Sequence, residues 1–188
     1  MHAAPAAPHP PLYDASVPVF RHALGQLLDL LALARAHVAT PPDDGPTEAT
    51  LLQAQLVPDM LPLATQVQIT VNFVARACAP LAGLPLPVAP MVEPSLAALR
   101  ARVLQVLGWL DTLRPEAMAD AGSRLCHSRA GDADVALPGA TFLHTYALPN
   151  FYFHMTLVYA LLRLQGVPVS KGDFDGYHRY PLPPGRSD

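Results

Sequence analysis

The sequence predicts an all-α protein, a four-helix bundle with long connections and irregular termini. Four stretches carry apolar residues at steps of three and four, which is the period of an amphipathic helix. Leu and Ala, two residues that favour helices, are abundant throughout the chain. Of the 22 prolines, 18 gather at residues 5–18, 41–62, 80–94 and 181–184, so most of the prolines fall between the helical stretches.

A chain of 188 residues is long enough for one domain with a substantial core. We expect that domain to span residues 13–176. Residues 1–12 are rich in Ala and Pro and are predicted to be a disordered tail, because they bury too little apolar surface to offset chain entropy. Residues 177–188 are predicted to form an irregular C-terminal tail.

The first two long helices are predicted at residues 16–37 and 59–79. Ser16 and Asp59 are the expected N-caps, because a short polar side chain can accept a hydrogen bond from the first helical turn. The linker between these helices holds a short predicted helix at residues 47–56, which Pro58 ends.

The third and fourth helices are predicted at residues 95–113 and 140–166. Residues 80–94 are a proline-rich loop, and residues 114–139 form a loop in which we allow a short hairpin. Pro149 lies within the fourth helix and should kink it, because proline lacks the N–H group that would bond the carbonyl of Thr145. The chain after residue 166 is predicted to be irregular, with its first half packed back on the bundle.

Charge and hydropathy exclude several classes of function. The net charge is −3 and Lys171 is the only lysine, so the chain lacks the basic face that nucleic acid requires. No apolar run reaches the roughly 18–20 residues of a membrane span, and the N-terminus does not resemble a secretory signal. Two cysteines, Cys78 and Cys126, set no disulfide framework, so we expect a cytoplasmic protein without a membrane partner.

The best candidate site lies on the fourth helix. Tyr146, Asn150 and His154 recur every four residues and therefore share one stripe. His144 falls on another face, because ten residues advance a helix by about 1000°. On the second helix Gln68 begins a polar line that continues at four-residue spacing through Asn72 and Arg76, beside the apolar stripe.

Three uses of these side chains remain open. Gln68, Asn150 and His154 form a buried hydrogen-bonded patch, or they orient a small-molecule ligand against the aromatic wall of Tyr146 and Tyr152. Alternatively, His154 with Asn150 and Gln68 holds a divalent metal. The metal reading is the weakest from the residues alone, because it has one strong ligand and two amides. We therefore expect no cofactor.

Four stretches of the chain resemble a known family. They read YDASVPVF at 13–20, LVPDMLPLATQVQ at 56–68, LPNFYFH at 148–154 and YALLRLQGVPVSKGDF at 159–174. These motifs resemble domain-of-unknown-function family nineteen-ninety-three of the DinB/YfiT-like superfamily. The resemblance implies a DinB-like helical bundle.

The resemblance also implies where a metal would bind. Enzymes of this superfamily often hold a divalent metal through one histidine on the second helix and an H-x-x-x-H pair on the fourth. In this chain the pair reads Asn150-x-x-x-His154, and the position on the second helix falls on Gln68 or Gln66. One of the three implied ligands is present.

These observations lead to three hypotheses for function. The first is a small-molecule-binding protein with its pocket between the second and fourth helices and no complete metal triad. The second is a structural or interaction protein, a homodimer whose polar stripe is a core network. The third is a divalent-metal-dependent enzyme of the DinB type. The sequence does not decide whether the protein is an enzyme.

Overall fold

The computed structural model describes residues 9–42, 45–88 and 94–178. Helices account for most of these residues, in chain order α1 (Pro11–Asp14), α2 (Val17–Ala39), α3 (Glu48–Leu52), α4 (Leu63–Ala82), α5 (Leu96–Leu110), α6 (Gly139–Thr141), α7 (Leu148–Leu164) and α8 (Lys171–Asp175). A 3₁₀ turn spans Pro115–Met118, and a π-helical turn, Phe142–Ala147, joins α6 to α7. The helical class predicted from the sequence is confirmed.

The four long helices α2, α4, α5 and α7 enclose one apolar core. α4 packs along α7, and α2 packs along α5. Phe20 on α2 meets Phe151 on α7 edge to face at 5.0 Å between ring centroids, and both side chains are fully buried. The apolar stripes predicted for these helices supply this core, as the burial of Leu24, Leu27 and Leu31 illustrates.

Neither of the two predicted N-caps, Ser16 and Asp59, caps its helix through its side chain, whereas Ser95 and Thr47 cap α5 and α3. Ser95 Oγ accepts a hydrogen bond from the Ala98 amide at 3.1 Å and caps α5. Ser16 precedes α2, but its hydroxyl donates to the Leu12 carbonyl instead of capping the helix. The prediction that Asp59 caps the second helix is wrong, because α4 begins at Leu63, directly after Pro62 in extended conformation. Thr47 caps the short α3.

A β-hairpin departs from the strictly all-α prediction, which is wrong in this respect. β1 (Leu125–Ala130) and β2 (Ala133–Pro138) pair antiparallel around the turn at Gly131. Gly131 has φ +60°, a left-handed conformation that glycine adopts without strain. The strands are mostly exposed and carry little apolar alternation, so periodicity gives no strong strand signal here.

Pro149 does not break its helix. The helical backbone runs without interruption through residues 139–164, and the π-helical turn lies directly before α7. A π turn shifts the hydrogen-bond pattern by one residue. This shift accommodates Pro149, which has no N–H to donate. The predicted helix therefore holds, and the stripe of Tyr146, Asn150 and His154 remains on it.

The ends of the domain are more ordered than predicted. Residues 1–8 of the predicted N-terminal tail and 179–188 of the predicted C-terminal tail lie outside the described residues. Leu12 belongs to the stretch that is predicted to be a disordered tail, but it lies in α1 and is buried. The irregular region after residue 166 contains α8, which a capping box between Ser170 and Asp173 stabilises.

One helical stretch, Pro11–Ala39, is long and apolar enough to meet the length and composition of a membrane span. Core helices of soluble proteins meet the same test, and here Phe20, Leu24 and Leu27 of α2 are fully buried against the other helices.

Candidate functional site

A hydrogen bond between α4 and α7 joins two side chains of the candidate site. His154 Nδ1 lies 2.7 Å from Gln66 Oε1, and Gln66 is buried. The amide Nε2 of Gln66 donates to the Leu61 carbonyl at 3.1 Å, so its oxygen faces the imidazole. His154 must therefore carry its proton on Nδ1, which leaves the Nε2 lone pair as the acceptor when the ring is neutral.

The partner of His154 on the second long helix is Gln66 and not Gln68. These two positions are about 200° apart on an α-helix and so face opposite sides. Gln68 is half-buried away from α7, and it makes no hydrogen bond with Asn150 or His154 among the described residues. The expected patch of Gln68, Asn150 and His154 is therefore not formed, and Gln66 takes the place of Gln68 as the partner of His154.

Phe73 on α4 holds the aromatic and charged side chains of the site together. Its ring stacks on His154 at 5.8 Å and meets Tyr146 edge-on at 6.0 Å. The guanidinium carbon of Arg76 lies 4.5 Å above the same ring, within range of a cation–π interaction. We call Phe73, Arg76, Tyr146 and His154 the Phe73 cluster.

The Phe73 cluster keeps His154 neutral. Burial of the ring lowers the pKa of His154, and the positive charge of Arg76 lowers this pKa further. A neutral imidazole with its Nδ1 proton engaged by Gln66 can accept a proton or a hydrogen bond at Nε2. The site thus offers one oriented acceptor beside one permanent cation.

Arg76 also fastens the hairpin to the helices. Its Nη2 donates to Ser128 Oγ at 2.9 Å and to the Tyr146 hydroxyl at 3.0 Å, and it bonds the Arg129 carbonyl. Ser128 and Tyr146 lie 3.3 Å apart through their hydroxyl oxygens. The sequence placed Arg76 on a polar line of the second helix, but it gave no sign that β1 would come to meet it.

An open groove of about 270 Å³ lies beside Arg76. Its floor is α4 and its walls are the chain after α4 and strand β1, with the lining residues Arg76, Ala79, Pro80, Leu84, Leu86, His127, Ser128 and Arg129. The lining combines basic and hydroxyl groups with exposed leucines. Tyr146 reaches this groove through its bond to Arg76, whereas His154 and Asn150 line none of the described grooves.

The other predicted site residues lie apart from this groove. The Asn150 amide donates to the Tyr146 carbonyl one turn back at 2.7 Å. Tyr152 is 38 % exposed and packs edge-on against Phe151; burial, followed by the charge of Tyr177, raises the pKa of Tyr152. His144 is exposed, in keeping with its separation from His154 by helical angle.

The residues present do not fit the divalent metal that the superfamily resemblance implies. Such a site needs three strong donors, and this chain offers one imidazole with the amides of Asn150 and Gln66. The Asn150 amide nitrogen and the Gln66 oxygen are already engaged within the protein. Across the described ranges, no three His, Cys, Asp or Glu side chains come close enough to hold a metal ion.

Comparison with known proteins now defines the class. A crystal structure of a DinB family member from Shewanella denitrificans, at 1.83 Å resolution, superposes with a TM-score of 0.78 and 31% sequence identity. The match covers 92% of this chain and 96% of that chain, so the fold is DinB-like. A comparison with curated proteins gives no match.

The family model described as "Domain of unknown function (DUF1993)" matches residues 12–175. The chain therefore belongs to the DUF1993 family, and the family predicted from its motifs is confirmed.

Proposed function

We propose that this protein binds a small organic molecule, without a metal, in the groove beside Arg76. The observation that carries the proposal is the position of Arg76, whose guanidinium joins the Phe73 cluster to the groove lining. Small-molecule sites are typically concave and largely apolar, with a few oriented polar groups. Leu84 and Leu86 supply apolar wall here, and Ser128 supplies a hydroxyl.

The location differs from the pocket expected between the second and fourth helices. Between α4 and α7 the side chains of Gln66 and His154 are bonded to each other, and Phe73 fills the space between His154 and Tyr146. The polar groups that this packing leaves for a ligand face the hairpin side of α4. His154 then acts behind the groove, as part of the support for Phe73 and Arg76.

A fragment screen by ligand-observed NMR tests the proposal on the full chain. We expect hits whose binding is lost on Arg76→Met and weakened by Tyr146→Phe, which removes only the hydroxyl that bonds Arg76. Arg35→Met is the matched control, because Arg35 is exposed on α2. A screen without hits, or hits that bind Arg76→Met as tightly as the unmodified chain, contradicts the proposal.

A second candidate function is homodimer assembly. It is supported by apolar side chains left exposed beside His154: Phe153 is 56% exposed, and Leu61, whose carbonyl bonds Gln66, is 46% exposed. Large exposed apolar groups often mark protein interfaces. Multi-angle light scattering should give the mass of a dimer, and Phe153→Ser should shift it toward the monomer. A monomer at every concentration removes this candidate.

A further inference from the structure

Arg102 on α5 is a buried cation without an acidic partner in the part of the chain that the structure describes. It is 8% exposed, and the ion pairs described there join other residues. Its hydrogen bonds go to neutral amide oxygens, from Nη1 to Gln105 Oε1 at 2.8 Å and from Nη2 to Asn72 Oδ1 at 3.2 Å. Burial lowers the pKa of the Arg102 guanidinium, but arginine keeps its proton in proteins.

A buried charge that meets only neutral dipoles is costly, and an anion is the partner that compensates it best. The two hydrogen bonds use two of the five N–H donors that a guanidinium carries. The remaining donors can take a planar oxyanion in the paired geometry that arginine favours. Nothing in the sequence marks Arg102 as a binding residue, because it stands inside an apolar helix.

Two grooves meet at Arg102. One, of about 130 Å³, runs between α4 and α5 and contains Asn72, Arg76, Leu86 and Pro87 in its lining. The other, of about 120 Å³, shares Pro87 with it and reaches Trp109. Arg76 and Leu86 also line the larger groove beside the hairpin. The three grooves therefore adjoin, with Arg102 near the middle and apolar side chains on both sides.

We propose that Arg102 binds the carboxylate of a small amphipathic organic acid whose apolar part lies against Leu86, Pro87 and Trp109. This assignment rests on the proposed function and names its ligand class. The grooves are small and partly apolar, and the net charge of −3 disfavours large polyanions. Arg76, which lines the same groove, adds a second positive charge that attracts the acid.

Isothermal titration with matched ligand pairs tests the assignment. Arylalkyl and medium-chain carboxylic acids are compared with their primary amides, which have nearly the same shape but no charge. We expect the acids to bind at least about tenfold more tightly than the amides, as loss of a charge-assisted bidentate contact predicts. Inorganic phosphate should not displace them.

Variants then assign the preference to Arg102. Arg102→Met should abolish the acid-over-amide preference, and Arg102→Lys should keep part of it because the charge remains. Arg100→Met, an exposed position on the same helix, should leave the preference unchanged. Where Arg102→Met does not fold, Arg102→Lys carries the assignment, and equal binding of acids and amides by the unmodified chain still overturns it.

The outcomes distinguish a failure of the carboxylate assignment from a failure of the proposed function on which it rests. Equal binding of acids and amides overturns the carboxylate assignment and leaves small-molecule binding standing. If neither the acids nor the amides bind and the fragment screen gives no hits, both the carboxylate assignment and the proposed small-molecule binding are overturned.

Discussion

His154 Nδ1 lies 2.7 Å from the buried Oε1 of Gln66, which fixes both the tautomer of the imidazole and the register of α4 against α7. This contact occurs where the superfamily's metal-binding side chains are expected from the resemblance. Here a glutamine and a histidine satisfy each other, and the cation of the site is Arg76 of the protein itself.

Loss of the Gln66 side chain should destabilise the fold. Gln66→Ala removes the acceptor of the His154 proton and the donor to the Leu61 carbonyl, and we expect a cost of about 1–2 kcal/mol. Gln68→Ala is the matched control and should change the free energy of unfolding by less than about 0.5 kcal/mol. Urea unfolding of both variants measures this, and equal costs refute the assigned register.

The depressed pKa of His154 predicts a loss of stability in mild acid. The unfolded chain binds the histidine proton more readily than the folded chain, so unfolding is favoured as pH falls below the ordinary value of about 6.5 towards the lower folded pKa. The stability that the neutral imidazole contributes is fully present above that pH range. His154→Gln should weaken the dependence of the free energy of unfolding on pH, measured between about pH 5 and 8. An unchanged slope in the variant argues against a depressed pKa of His154.

Restoring the implied ligands should create a metal site. In the double variant Gln66→His with Asn150→His, three imidazoles meet at one place on α4 and α7, and we expect zinc or nickel to bind at about one ion per chain. Gln68→His with Asn150→His is the control and should bind far less, because position 68 faces away. Elemental analysis after dialysis gives the metal content. Equal loading of both double variants contradicts the geometry.

Gly139 should tolerate no side chain. A Cβ there would lie 1.9 Å from the Ala121 carbonyl oxygen, and a backbone atom cannot yield as a flexible side chain can. Gly139→Ala should therefore cost more than about 2 kcal/mol. Gly108→Ala, in α5 with no atom within 4 Å, should instead stabilise by up to about 1 kcal/mol through helix propensity. Thermal unfolding distinguishes the two.

The helices were predictable because their apolar residues recur with the helical period, and residues such as Leu24 and Leu31 are buried as that period predicts. The hairpin was allowed only as an option within residues 114–139, since its strands are exposed and depend on Arg76 from a helix distant in the sequence. The spacing of residues in the sequence does not identify the hydrogen-bond partner of a polar side chain. That is why the residues alone pair His154 with Gln68, while Gln66 enters only as the alternative that the family resemblance implies. For the same reason the sequence does not show that Arg76 links the helices to the hairpin, and it gives no sign of Arg102.

Chemical-shift mapping of a bound fragment on the isotope-labelled chain tests the central claim, small-molecule binding beside Arg76, most directly. The account predicts that the perturbed amides cluster at Ala79, Leu84, Leu86 and Ser128, around Arg76. Perturbations confined to the exposed face of α7 near Tyr152 and Phe153, with none at the groove, would contradict it.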